Sequence, residues 1–143
     1  MEISIKFNKT HEDAKKPKQT SPGANGYDLS NIEEVMIPAC GRKMVSTGLS
    51  VEIPPGYYAL INSRSGLALN HGLIAFNGLI DSDYRGEIKI LLFNFGDKDI
   101  HLAKGTRCAQ IIARQNISVN FVEVESLNET ERGIKGFGSS GDH

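Results

Sequence analysis

Nine residues, GLIDSDYRG at 78 to 86, contain two carboxylates, an aromatic ring and a guanidinium group. Asp81 and Asp83 are two residues apart, and in a β-strand this spacing points both side chains to the same face. Two carboxylates so close repel each other, and a metal ion, an arginine or a proton held by one of them relieves the repulsion. Taken alone, the segment predicts a turn that carries charged side chains.

The residues around this segment predict a β-hairpin over 73 to 84, with Asn77 and Gly78 at its turn. Open main-chain N–H and C=O groups across a hairpin can bind the edge of a base. The Asn77 amide adds a donor and an acceptor. The hairpin is therefore a candidate base-binding element.

Two further polar clusters could bind a metal ion or a phosphate. Asp28 follows Tyr27 at the start of a predicted strand, where a carboxylate could hold a hydrated divalent cation. Ser63, Arg64 and Ser65 lie where the one strongly predicted helix begins, and the N–H groups and positive partial charge of a helix start favour phosphate. The alternatives are an ordinary aspartate at a strand end and plain helix capping by the serines.

A single glutamine, Gln110 in RCAQII, lies on an otherwise apolar predicted strand. A buried glutamine needs hydrogen-bond partners for its amide. It either pairs with the backbone or faces a polar site, and taken alone the structural role is favoured.

The C-terminal stretch RGIKGFGSSGDH, residues 132–143, is so rich in glycine and serine that it cannot bury enough surface to order itself. It nevertheless contains a cation, a large ring and small donors, so it could close over a bound phosphate-bearing ligand. The alternative is a disordered terminus. The sequence predicts a β domain over 1–131 and a flexible lid over 132–143.

Apolar residues recur mainly at every second position, which predicts half-buried strands. Three such runs are Ile3, Ile5 and Phe7; Leu49, Val51 and Ile53; and Ile88, Ile90 and Leu92. Turn signals between the runs are spaced as in a sandwich or barrel of short strands. The fold class is therefore all-β, with one short helix over residues 65–72 that Gly72 ends.

The amino-acid composition restricts the possible binding partners and the cellular compartment. The chain has 143 residues, enough for one domain, and a net charge of −1 that gives no bulk attraction to nucleic acid or an anionic membrane. Cys40 and Cys108 match no metal-ligand spacing and predict buried thiols in a reducing compartment. No stretch has the length and hydropathy of a membrane span, so we expect a soluble intracellular protein of the cytoplasm or nucleus.

Five segments together resemble, in order and spacing, the five motifs of the trimeric dUTP pyrophosphatases (dUTPases). They are GANGYDLS, SRSGLA, NGLIDSDYRGE, RCAQII and RGIKGFGSSG, and they run from residue 23 to 141. The resemblance implies a jelly-roll-like β fold and a homotrimer with shared active sites. It also implies Mg²⁺-dependent hydrolysis of dUTP to dUMP and pyrophosphate, which keeps uracil out of DNA and supplies dUMP for dTMP synthesis.

The resemblance also implies roles for single residues. Asp81 would be the general base that activates water, Gln110 would position the water or the α-phosphate, and Asp28 would hold Mg²⁺ through water. The residues implied at the phosphates are Arg64, Ser65, Gly66, Arg132, Gly138 and Ser139. Those implied at the base and sugar are Asn77, Gly78, Ile80, Tyr84 and Phe137, with the Tyr84 ring leaving no room for a 2′-hydroxyl.

Departures and alternatives remain. Ser63 stands where many family members have proline, and the hairpin turn varies among them, so main-chain groups could replace Asn77 at uracil. A dCTP deaminase-like enzyme on the same scaffold would need a carboxylate aimed at the cytosine ring. A nucleotide-sensing, partner-binding protein on this fold is the alternative from another class.

Overall fold

The computed structural model of the protein describes residues 1–141, and the last two residues of the predicted lid lie outside them. In that range the chain forms ten strands and one helix. In order they are β1 Lys6–Lys9, β2 Tyr27–Ser30, β3 Val35–Ile37, β4 Arg42–Glu52, β5 Tyr57–Asn62, α1 Ser65–His71, β6 Leu73–Ala75, β7 Leu79–Ile80, β8 Glu87–Asn94, β9 Ile100–Leu102 and β10 Arg107–Gln115. The all-β prediction with one short helix is confirmed.

Two four-stranded antiparallel sheets form a sandwich. One has the strand order β1-β4-β8-β6 and the other the order β2-β10-β5-β7, while β3 and β9 form a separate pair. The inward residues of both sheets form a single apolar core. Each large aliphatic side chain buried there contributes roughly 1.5–3 kcal/mol relative to exposure.

The alternating runs on β4 and β8 are confirmed. Leu49, Val51 and Ile53 are buried, as are the alternating apolar residues of β8. The first predicted run differs, because β1 begins only at Lys6 and all four of its residues are exposed, Phe7 included. This strand lies at the edge of its sheet.

The prediction of a β-hairpin over 73 to 84 is wrong, because its two strands do not pair with each other. β6 pairs with β8 in one sheet, whereas β7 pairs with β5 in the other. The connection through Asn77 and Gly78 therefore crosses between the sheets. It is tight, since the Gly78 N–H donates to the Phe76 carbonyl at 2.8 Å and the Gly78 carbonyl accepts from Ile61 N–H at 2.8 Å.

Helix α1 is confirmed, but its predicted serine cap is not. The N-cap residue is Arg64, in an extended conformation and without a side-chain capping bond. At the other end Gly72 takes φ of 65°, the left-handed conformation that glycine adopts without strain, and its N–H donates to the Ala68 carbonyl.

The two cysteines differ in environment. Cys108 is buried, and burial raises the pKa of its thiol to about 11. Cys40 is exposed, so the prediction of two buried thiols is wrong for this residue. Cys40 lies in the turn between β3 and β4 with φ of 57°, and the turn carries its side chain outward.

β10 is the last strand of the described residues. Residues 116–141 form no strand or helix, and nearly all of them are exposed. We call this segment the C-terminal arm. Within residues 1–141, helix α1 is too short and polar to cross a membrane, and it is the sole helix there.

Candidate functional site

Three polar residues lie in a row across neighbouring strands of the second sheet. Gln110 on β10 is the Cα partner of Asp28 on β2 and also of Asn62 on β5. Directly paired residues of an antiparallel sheet point to the same face. The predicted metal-binding aspartate and the predicted water-positioning glutamine are therefore neighbours on one outer face, although they are far apart in the sequence.

Two guanidinium groups contact the carboxylate in this row. Arg64 Nε lies 3.2 Å from Asp28 Oδ1, and Arg107 Nη1 lies 3.3 Å from Asp28 Oδ2. The Asp28 side chain is only 9 % exposed. Arg64 Nη1 also donates to the Arg107 carbonyl at 3.1 Å, which ties the loop before α1 to the start of β10.

Gln110 is held by the backbone of the same loop. Its Nε2 donates to the Ser63 carbonyl at 2.9 Å. On its other side, a Cβ built on Gly26 would lie 1.8 Å from Gln110 Oε1, so only glycine leaves space for this amide. Both alternatives of the sequence analysis hold, since the glutamine pairs with backbone and shares its face with Asp28.

The loop that carries Arg64 is fixed through Ser63. Ser63 Oγ accepts from the Ala75 N–H at 2.8 Å and donates to the Ala75 carbonyl at 3.3 Å. Ser63, which stands where proline is common in the resembled family, therefore bonds the loop to β6. The next residues, Ser65 and Gly66, are exposed at the start of α1.

The segment from Asp81 to Gly86 is a turn. The Tyr84 N–H donates to the Asp81 carbonyl at 3.1 Å, and β8 begins only at Glu87. The turn predicted for this segment is therefore present, and the strand geometry that would point Asp81 and Asp83 to one face does not apply. Asp81 is exposed at the edge of a cleft of about 400 Å³ that Tyr58 and other side chains line.

The Tyr84 ring lies against the backbone at Gly86. Its hydroxyl donates to the Glu87 carbonyl at 2.8 Å. A Cβ at position 86 would lie 2.6 Å from that hydroxyl oxygen, so a glycine is needed there for the ring to take this position. Tyr84 remains 43 % exposed.

Within one chain, Asp81 lies far from the row of polar residues. Ile80 pairs with Ala59 on β5, whereas Gln110 pairs with Asn62 on the same strand. Those two β5 residues are about 10 Å apart at the rise of a strand. Asp81 follows Ile80 in the direction away from Asn62, so its separation from Gln110 is larger still.

The predicted lid residues lie on the C-terminal arm. Arg132 Nε donates to the Lys135 carbonyl at 2.9 Å, and Ser139 N–H donates to the Gly136 carbonyl at 3.2 Å. Phe137 is fully exposed, with φ of 48° between two glycines. The predicted site residues of the arm are all exposed, so within one chain they are not packed against Asp28 and Gln110.

Carboxylates alone do not form a metal centre here. Residues 1–141 contain no cluster of three histidine, cysteine, aspartate or glutamate side chains placed to hold an ion. Both oxygens of Asp28 contact guanidinium groups. Mg²⁺ often retains several waters and binds through one or two carboxylates together with substrate phosphates, and the residues present fit only an ion of that kind.

Three participating residues are absent from the predictions made from sequence. Gly26 leaves space for Gln110, and Gly86 leaves space for Tyr84. In the sequence, the only indication of a role for either glycine is that it lies in the same short motif as a predicted site residue. Arg107 contacts Asp28 and adjoins the CAQ segment. In the sequence Arg107 is recognisable only as a cation on an apolar strand, and this pattern does not indicate the face on which its side chain lies.

The fold and these side chains define a class of β-sandwich proteins. Their paired arginines suit an anionic, phosphate-bearing ligand, and a turn exposes a separate carboxylate. Within this class the chain belongs to the dUTPase family, because the family model described as dUTPase matches residues 12–141.

Relatives and solved structures agree with this assignment. The deoxyuridine 5'-triphosphate nucleotidohydrolase of Paramecium bursaria Chlorella virus 1 is 46% identical over 138 residues, which are 96% of this chain and 98% of that protein. A dUTPase of Staphylococcus bacteriophage 80alpha, solved with dUPNHPP, superposes with a TM-score of 0.90 at 26% identity and covers 97% of this chain and 99% of its own.

A second solved structure shares the fold. A mutant dUTPase from phage phi11 of S. aureus, described with a structural Mg(II) ion, has a TM-score of 0.81 at 21% identity and covers 87% of this chain and 98% of its own. At this identity the likeness concerns the fold.

Proposed function

We propose that the protein hydrolyses dUTP to dUMP and pyrophosphate, with water attacking the α-phosphate. The observation that carries the proposal is the row of Asp28, Gln110 and Asn62 with Arg64 beside it, which places three of the resembled motifs on one face. Family membership supports the choice of dUTP, the substrate for which the viral relative is named. In a cell this activity would keep uracil out of DNA and supply dUMP.

Phosphate binding is assigned to cations and to exposed small residues. Arg64 lies on the face that carries Gln110, and Ser65 and Gly66 follow it at an exposed backbone. Phosphoryl transfer depends mainly on positioning and on charge neutralisation, which guanidinium groups supply. Arg132, Gly138 and Ser139 of the C-terminal arm would bind the outer phosphates when the arm closes.

Water activation is assigned to Asp81, with Gln110 as the group that orients the water or the α-phosphate. Asp81 is exposed at a turn, and the Gln110 amide is held by the Ser63 carbonyl. A positioned carboxylate base contributes on the order of 10² to 10⁴ in rate. Loss of the Asp81 charge should therefore abolish most turnover while the fold persists.

Base and sugar recognition is assigned to the connection between β6 and β7, which crosses from one sheet to the other, and to one face of the Tyr84 ring. Asn77 offers its amide there. The Gly78 N–H is bonded within the fold, so Gly78 offers only the second lone pair of its carbonyl. Buried Ile80 lies next to them. The Tyr84 ring, bonded to the Glu87 carbonyl, would press on C2′ and exclude a 2′-hydroxyl. Phe137 would cover the uracil from the arm.

We also propose that Mg²⁺ accompanies the triphosphate. When bound, it would neutralise phosphate charge, and we assign Asp28 to its water shell. The arginine contacts of Asp28 support a role through water rather than direct ligation.

A homotrimer with shared active sites is the assembly that completes the site. In one chain Asp81 lies away from Gln110, and the arm residues lie away from both. The C-terminal arm also exposes apolar side chains that a monomer would leave in water. These are Ile117, Val119, Phe121, Val122, Val124 and Leu127.

Pyrophosphate release from dUTP, dTTP, dCTP and UTP, each with Mg²⁺ and with chelator, tests the function in the parent and in Asp81→Asn. We expect turnover of dUTP alone, lost in the variant and with chelator. Release from no substrate would overturn the hydrolase, and equal release from all four would overturn the assignment of base selection.

A further inference from the structure

The turn that carries Asp81 also takes the chain from one sheet to the other. Asp81 follows β7 of the second sheet, and β8 of the first sheet begins at Glu87. The Asp81 side chain is exposed, so burial does not fix its position. The place of this carboxylate therefore depends on the backbone of the turn.

The Arg85 guanidinium bonds the backbone of this turn at two carbonyls. Its Nη1 donates to the Ser82 carbonyl at 2.7 Å and to the Tyr84 carbonyl at 3.1 Å. Hydrogen bonds from an ionised donor are stronger than those between neutral groups. Because the two carbonyls belong to the peptide groups after Ser82 and after Tyr84, one side chain restricts most of the turn.

Glu52 lies on the other side of the same guanidinium. Arg85 Nη2 is 3.8 Å from Glu52 Oε1, at the end of β4 in the first sheet. Lys6 Nζ is 3.2 Å from Glu52 Oε2, so two cations share this carboxylate. The Arg85 and Glu52 side chains are 54 % and 49 % exposed, and an ion pair so exposed is weak. Its effect is to orient the Arg85 side chain toward the turn.

Arg85 and Asp81 line different sides of the turn. Asp81 and Ser82 line the cleft of about 400 Å³ described above. Arg85 lines a second cleft, of about 440 Å³, together with Ser82 and Asp83. A guanidinium group on this second side reaches the chemistry at Asp81 through the backbone of the turn rather than through a ligand in the first cleft.

We infer that Arg85 is a positioning residue that fixes the turn and thereby places the Asp81 carboxylate for proton transfer from water. The inference rests on the proposed function for the role of Asp81 as general base. A general base must lie within hydrogen-bond distance of the proton it takes, so a small movement of the turn lowers the rate. Arg85 contributes to that rate without contacting the substrate.

Steady-state hydrolysis of dUTP by Arg85→Met and Arg85→Lys tests this role. Lys6→Met is the matched control, because it removes a cation from the same Glu52 carboxylate and should keep the kcat of the parent. We expect Arg85→Met to lower kcat about tenfold or more, since a displacement of about 1 Å can cost roughly 10²-fold. Arg85→Lys should recover part of the loss, because a lysine lacks the planar fork.

The KM for dUTP separates positioning from substrate binding. In Arg85→Met it should stay within about twofold of the parent value, because the lost interaction affects the transition state and not the bound substrate. A raised KM with unchanged kcat would overturn the positioning role, since it would make Arg85 a substrate ligand.

A double variant tests whether Arg85 acts through Asp81. If it does, adding Arg85→Met to Asp81→Asn lowers the residual turnover by less than about twofold, because the carboxylate that Arg85 positions is already gone. A loss as large as that in the parent background would overturn the inference.

Amide hydrogen exchange, followed by NMR, reports on the turn independently of turnover. The Tyr84 N–H donates to the Asp81 carbonyl, so its exchange should become faster in Arg85→Met and stay unchanged in Lys6→Met. Unchanged exchange or unchanged kcat in Arg85→Met would overturn the inference. Arg85 is exposed, so we expect the variant to fold, and thermal melting followed by circular dichroism checks this.

Failure of the proposed function has a different outcome. Absence of dUTP turnover by the parent would overturn that function, whereas exchange at the Tyr84 amide would still decide whether Arg85 holds the turn.

Discussion

Gln110 fills the space that a side chain at position 26 would need, since a Cβ built on Gly26 lies 1.8 Å from its Oε1. Gly26 is not among the glycines with positive φ, so the close approach, rather than the backbone conformation, requires glycine here. A methyl group at this position must push the amide away from the Ser63 carbonyl that holds it.

Gly26→Ala should therefore lower kcat by about 10²-fold, the cost of a displacement of roughly 1 Å in a positioned group. Gly23→Ala is the matched control, because nothing lies within 4 Å of a Cβ at Gly23 in the same loop. Pyrophosphate release and the melting temperature are measured for both. Equal kcat values would contradict a positioning role for Gln110.

Gly86→Ala should relax the discrimination against a 2′-hydroxyl. The added methyl would lie 2.6 Å from the Tyr84 hydroxyl oxygen, so the ring must rotate away from its bond to the Glu87 carbonyl. We expect the ratio of kcat/KM for dUTP to that for UTP to fall, with Tyr84→Phe intermediate because its ring keeps its space. An unchanged ratio in Gly86→Ala would show that the Tyr84 ring does not discriminate between deoxyribose and ribose.

Mixing two inactive variants tests the shared site. Suppose that Gln110 and Asp81 of one site come from different subunits. Random exchange of subunits between Asp81→Asn and Gln110→Ala trimers then gives some sites in which both residues are intact. In a symmetric ring we expect about a quarter of the sites to be restored in this way. Pyrophosphate release is followed after mild unfolding and refolding of the mixture. Exchange proven by mass spectrometry without recovered turnover would place both groups in one chain.

Two truncations separate the roles of the C-terminal arm. Ending the chain after Glu131 removes Arg132, Phe137 and Ser139 but keeps the apolar side chains between Ile117 and Leu127. This variant should remain a trimer with little turnover. Ending the chain after Gln115 removes those side chains too and should yield monomers by light scattering. Full turnover after the first truncation would rule out a lid.

The two thiols should differ sharply in reactivity. The thiolate is the reactive form, and burial raises the pKa of Cys108 to about 11 while Cys40 is exposed. At pH 8 a thiol reagent should modify one group per folded chain and two in denaturant, and Cys40→Ser should lose the rapid reaction. Rapid modification of Cys108 in the folded protein would show that the core opens locally.

The same shift links Cys108 to alkaline stability. Its folded-state pKa of about 11 lies above the ordinary thiol value of 9.0, so folding favours the protonated thiol. The contribution is fully present below the unfolded-state value and is lost as pH rises through the folded-state value. Cys108→Ala should therefore lose less stability than the parent between about pH 9 and pH 11, as measured by urea unfolding.

Local patterns in the sequence were enough for the fold class and for much of the candidate site. Alternation at Leu49, Val51 and Ile53 depends only on which face is buried, and Gly72 ends α1 because its conformation is a local property. The motifs containing Asp28, Arg64 and Gln110 were recognisable because chemistry requires particular side chains close together in the chain.

Tertiary structure decided which of those side chains meet. The strand register places Asp28 beside Gln110, and a bulge of β10 turns Arg107 to the same face. Pairing of β6 and β7 with different sheets removed the predicted hairpin. Register, bulges and strand partners depend on contacts between distant residues, so spacing along the chain determined the chemical groups while the packed sheets determined their geometry.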